Sequence, residues 1–76
     1  MANYTYTVLF EPLDGGGYQV LIPAIPEIVT YGNTIEEARA MAHDAIRCFL
    51  QSALRTGEAI PRDLQPETER LAVSLA

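Results

Sequence analysis

Few residues of this chain have types that could do chemistry, and most of those fail on spacing. Gly15, Gly16 and Gly17 form an unbroken run within LDGGGYQVLI, residues 13–22. A phosphate loop needs glycines followed by Lys-Ser or Lys-Thr and then a helix, whose N-terminal N–H groups meet the anion. Here there is no lysine anywhere, and an alternating apolar stretch follows the glycines. The run therefore predicts a hairpin turn. Nucleophilic catalysis needs Ser or Cys beside His and an orienting acid. His43 and Cys48 are five apart, so on one helix they point to different sides. His43 is expected on a solvated face, and Cys48 as a small, half-buried filler on the flank of the apolar stripe. Metal-dependent nuclease chemistry needs several converging acids. Glu36 and Glu37 are committed to a helix start, and Asp44 is the one acid in mid-helix. Tyr4, Tyr6, Tyr18 and Tyr31 suggest a base-stacking platform, but such platforms work among basic residues, and these neighbours are neutral or acidic. The expectation is no catalytic residue, no metal and no cofactor, with the tyrosines used in packing or an interface.

The elements that would position these residues follow from periodicity. YTYTVLFE, residues 4–11, alternates, with Tyr4, Tyr6, Val8 and Phe10 on one face and Thr5, Thr7, Leu9 and Glu11 on the other. A second strand is expected over about 17–23, with Tyr18, Val20 and Ile22 on one face. A third is expected over about 27–31, after the Pro23 to Pro26 segment. Thr34 followed by Glu37 is a capping box: the hydroxyl accepts from the Glu37 N–H, and the Glu37 carboxylate reaches back to the Thr34 N–H. Ile35, Ala38, Ala42, Ala45, Ile46, Phe49 and Ala53 make an apolar helical stripe, widened by Met41, Leu50 and Leu54. Arg55 and Gly57 close it, giving a helix over about 35–56. RLAVSLA, residues 70–76, predicts a final strand over about 70–75, with a short helix as the alternative. After three antiparallel strands and a helix, a right-handed crossover would lay that strand beside and parallel to the first.

Seventy-six residues predict a single domain. A core of that size rarely supplies more than ~3–5 kcal/mol of net stability. One cysteine and one histidine provide neither a disulfide nor a metal staple. A homodimer or higher homo-oligomer is therefore expected, through the sheet face that a single helix leaves open. Ten acids against five arginines give a net charge of −5, which argues against direct nucleic-acid binding and suits a basic protein partner. The opening MANYTYTVLFEP has no basic region before an apolar run, and no stretch approaches a membrane span. The cytoplasm is the expected location.

Residues 6–46 carry a pattern that resembles the HicB-like antitoxin family. It runs from a strand ending in an acid, through an acid–glycine turn, to Gly17-Tyr18 and an alternating strand. The Pro23 to Pro26 segment, Gly32-Asn33-Thr34 and Glu36-Glu37-Ala38 follow in the family's order, and GEAIP, residues 57–61, resembles its exit from the helix. One departure is Glu27-Ile28, where the family often has Gly-Cys. The resemblance implies an α+β, βββαβ fold that is partly ribonuclease-H-like, without a working acid set. It also implies a non-enzymatic role: neutralising a small, basic, RNA-cleaving toxin of the HicA type by covering its active site. Longer members add a C-terminal DNA-binding module, and direct operator binding by this chain is not expected.

Glu11, Asp14, Glu27 and Tyr31 are the candidate partner-binding residues, chosen for exposure near strand ends. Thr34 and Glu37 are assigned to the helix cap. The alternatives are a stand-alone structural oligomer, a small-ligand-binding domain, or a residual metal-dependent nuclease.

Overall fold

The computed structural model describes residues 3–76. Three strands, β1 (Leu9–Pro12), β2 (Tyr18–Leu21) and β3 (Val29–Gly32), precede one helix, α1 (Ile35–Thr56). The sheet is antiparallel in the order β1-β2-β3, so the architecture is α+β.

The glycine run is the β1–β2 turn. Leu13 N–H donates to the Gly17 carbonyl at 3.0 Å, and Gly16 N–H to the Leu13 carbonyl at 2.9 Å. Gly16 and Gly17 have φ of 97° and 82°, which side chains other than glycine's rarely tolerate. Register pairs Leu9, Phe10, Glu11 and Pro12 with Leu21, Val20, Gln19 and Tyr18. β2 then pairs Tyr18 with Gly32, Gln19 with Tyr31, Val20 with Thr30 and Leu21 with Val29.

Alternation sorts these side chains onto two faces. Val20 and Ile22 go inward and are fully buried with Ile25, Ala38 and Ala42, and Tyr6, Val8, Phe10 and Tyr18 pack around them. Small residues let α1 lie close to the sheet. A Cβ built on Gly32 would collide with the backbone of Ala38, in the first turn of α1.

The helix ends are chemically marked. Thr34 is extended and its hydroxyl accepts from the Glu37 N–H at 3.1 Å. The Glu37 carboxylate, however, accepts from the Asn33 N–H at 2.7 Å rather than from the Thr34 N–H. The expected reciprocal box thus reaches one residue further back, to the N–H presented just after Gly32. At the other end Gly57 is left-handed (φ 77°) and its N–H donates to the Ala53 carbonyl.

Several expectations need correction. β1 begins at Leu9, not near Tyr4, because β2 ends at Leu21 and the chain leaves the sheet through two turns, Ile25 N–H to Ile22 C=O and Ile28 N–H to Ile25 C=O. Residues 4–8 therefore have no ladder partner. Residues 70–75 form neither the expected strand nor a helix and are exposed throughout. Cys48 is exposed rather than half-buried. Met41 and Leu54 stay 45% and 61% exposed, so they do not widen the buried stripe.

Candidate functional site

The face of the sheet turned away from α1 is built by the odd-numbered residues. Leu9, Leu21 and Val29 form one cross-strand row, and Glu11, Gln19 and Tyr31 form the next. Val29 is 61% exposed. An apolar row beside a row carrying a carboxylate, an amide and a phenol is suited to a protein surface that is partly apolar and partly basic.

Three of the four candidate partner residues gather at the hairpin end. Glu11 and Tyr31 share the second row, flanking Gln19. Asp14 is exposed in the adjoining turn. The Tyr31 hydroxyl donates to Asn33 Oδ1 at 2.8 Å and lies 3.5 Å from the Gly16 carbonyl, which holds the ring over the turn. A Cβ on Gly17 would collide with that hydroxyl. Glu27 does not join them. It precedes β3, beyond the opposite end of the sheet, and borders a hollow with Ala24, Phe49 and Glu58. Gln19, the centre of the row, was not singled out from the sequence. Its position opposite the buried face of β2 was the available signal.

A second feature lies on the other side of the sheet. α1 covers β2 and β3, so the inner face of the first strand stays open toward the flank of the helix. The result is a groove of about 820 Å³ between Tyr4, Val8 and Phe10 on one wall and Ile46, Leu50 and Leu54 on the other. Arg39, His43 and Arg47 also line it. Arg47 pairs with Asp44 one turn away on α1, and that hydrogen-bonded carboxylate raises the guanidinium pKa further. At the foot of the groove the Tyr6 hydroxyl donates to the Pro61 carbonyl at 2.6 Å. Burial raises the Tyr6 pKa above 10.0, with Tyr4 and Asp63 adding to the shift. The Asp63 carboxylate accepts from the Thr7 N–H at 2.7 Å and from its hydroxyl at 3.0 Å. The N–H bond leads in lowering the Asp63 pKa.

Among the described residues no three His, Cys, Asp or Glu side chains gather closely enough to hold a metal ion. Among the same residues no helix is long and apolar enough to cross a membrane.

A three-stranded antiparallel sheet backed by one helix, with an apolar row beside a row of Glu11, Gln19 and Tyr31 on its outer face, defines a small α+β class. Residues 6–74 match the family described as HicB-like antitoxin of bacterial toxin–antitoxin system. The chain is 44% identical over 59 residues to Antitoxin HicB 1 of Photorhabdus laumondii, covering 78% of this chain and 38% of that protein. It is 40% identical over 58 residues to a UPF0150 protein of Thermoplasma acidophilum, covering 76% and 84%. Antitoxin HicB of Escherichia coli K12 is 38% identical over 56 residues, covering 74% and 41%. The match thus spans about two fifths of the named HicB antitoxins but most of the UPF0150 protein. The chain belongs to the HicB-like antitoxin family, a family of antitoxins and not of known enzymes.

Proposed function

We propose that this chain acts as an antitoxin domain that binds and neutralises a small, basic, RNA-cleaving toxin of the HicA type by covering its active site. Family membership across residues 6–74 carries the antitoxin role. The outer face suggests where the toxin docks. Glu11 and Tyr31 share one row, Asp14 sits at its end, and the Leu9–Leu21–Val29 row supplies apolar area beside it. Glu27 belongs to this interface only if the toxin reaches the far end of the sheet. The net charge of −5 favours encounter with a basic partner. The three strands and helix would be the frame of a partial ribonuclease-H-like fold, and the cytoplasm is where such a toxin acts. A second copy of the chain is the competing occupant of the outer face.

The test is titration of the chain with the basic protein encoded beside it, together with relief of growth arrest on co-expression. Tyr31→Ala should weaken binding by ~10-fold or more if the ring is a buried anchor. Glu11→Lys should chiefly slow association and flatten its salt dependence. If both variants bind and protect like the parent, the toxin does not use this face. If the parent itself neither binds nor protects, the antitoxin proposal fails for this chain.

A further inference from the structure

The groove and the tail are each incomplete, and their chemistry is complementary. The groove opens along the outer side of the first strand, where no strand among the described residues pairs with β1. The hydrogen-bonded pair that closes the hairpin, Leu13 with Gly17, sets the ladder alternation. Odd-numbered β1 residues direct their backbone groups toward β2, and Phe10 directs its own to the open edge. An unpaired edge is a template for another strand. A strand added there alternates its side chains, placing every second one under the helix flank.

Residues 70–76 have that alternation. Leu71, Val73 and Leu75 are 76%, 78% and 93% exposed, with Ala72 and Ser74 between them. The radius of gyration is 15.3 Å and the long axis 57 Å, whereas a compact chain of this length would have a radius of about 11 Å. The base of the tail is fixed to the body at Tyr6 and Thr7 through Pro61 and Asp63. Beyond it, 13 residues extend away and carry an apolar stripe into solvent. Charge adds a smaller contribution: Glu67 and Glu69 precede the stripe, with Arg70 beside it, and Arg39, His43 and Arg47 line the groove, of which Arg47 already pairs with Asp44.

We infer that residues 70–75 of one copy add as a strand to the open edge of β1 in a second copy, setting Leu71, Val73 and Leu75 into its groove, and that the exchange is reciprocal. Two-fold exchange closes both edges and buries both stripes without a new element. The inference does not rest on toxin binding. It assigns self-association to the helix side of the sheet and leaves the outer face free.

Light scattering over a wide concentration range tests it, combined with complementation. The full chain should run at twice its 8.4 kDa mass. Val73→Glu, which places a carboxylate in an apolar groove, should raise the dissociation constant at least ~100-fold. Leu50→Glu with Leu54→Glu, which spoils the groove, should do the same. Mixing the two variants should restore a heterodimer, because one intact tail then meets one intact groove. A monomeric parent, a dimer indifferent to Val73→Glu, or failure of the mixture to associate overturns the proposal. Should the groove variant lose its helical signal, hydrogen exchange on the parent decides. Amides 71–75 should be protected in the dimer and exposed on dilution, and protection that persists in the monomer would mean that the tail fills its own groove.

Discussion

Replacing Gly32 by alanine adds one methyl group at the closest approach of sheet and helix. Gly32 is buried and ends β3, and the new Cβ would overlap the backbone N and Cα of Ala38. A side chain in the way can rotate aside, but a helix backbone cannot. Relief therefore requires the first turn of α1 to lift away from β3. That turn holds Ala38, and the next holds Ala42, both members of the buried cluster with Val20, Ile22 and Ile25. The lift also strains the Asn33 N–H to Glu37 and Glu37 N–H to Thr34 bonds of the cap. Overpacking of this kind typically costs ~1–3 kcal/mol, and an unyielding backbone neighbour puts this site at the upper end. Restricting the unfolded chain offsets ~0.4–1 kcal/mol. The net loss is then about 2 kcal/mol, roughly 30-fold in the unfolding equilibrium, or a fall in Tm of about 8–16 °C for a domain of this size. Helical circular dichroism through a thermal ramp measures it, with protein concentration held constant in case assembly contributes. An unchanged or raised Tm would refute the claimed contact between Gly32 and Ala38.

Two further outcomes follow from the same geometry. Thr34→Ala should cost about 1 kcal/mol by freeing the Glu37 N–H, while Thr34→Asp should retain most of that, both read by urea denaturation. The Asp63 latch should be acid-sensitive. Its folded pKa lies below the ordinary 3.8, so its contribution is complete above that value and is lost as pH falls through the folded one. The Thr7 amide resonance should therefore move in that acid range in the parent and stay still in Asp63→Asn.

Elements whose ends are set by local chemistry were legible in the sequence. Thr34 and Gly57 mark α1 because a hydroxyl acceptor and a left-handed glycine satisfy orphan groups within a few residues. The hairpin was legible because the glycine run supplies, at Gly16 and Gly17, the positive φ that its turn requires. The limits of β1 were not. Residues 4–8 alternate as well as 9–11, but a ladder also needs a partner, and β2 leaves the sheet after Leu21 through turns closed by distant packing of Ile22 and Ile25. The same departure separates Glu27 from Glu11, Asp14 and Tyr31. Exposure could be read from each residue's neighbours, but the shared Glu11–Gln19–Tyr31 row depends on register across two hairpins. RLAVSLA has a strand's alternation and no strand, for the same reason: its pattern is local, and its pairing is not.

The two surfaces lie on opposite sides of one thin sheet, and this separates their roles physically. Odd-numbered residues of β1 and β2 face away from α1, and even-numbered ones face the core and the groove. A substitution such as Glu11→Lys on the outer face therefore leaves the groove wall intact, and Val73→Glu on the tail leaves the outer row intact. The sequence-based expectation placed self-association on the open sheet face, in competition with a toxin. Moving it to the edge and groove removes that competition, because a strand added beside β1 would extend the outer face rather than cover it. Toxin capture and assembly would then reinforce each other through a wider sheet. If the two instead share the outer face, Tyr31→Ala should weaken the dimer as well as toxin binding, and Val73→Glu should weaken neither.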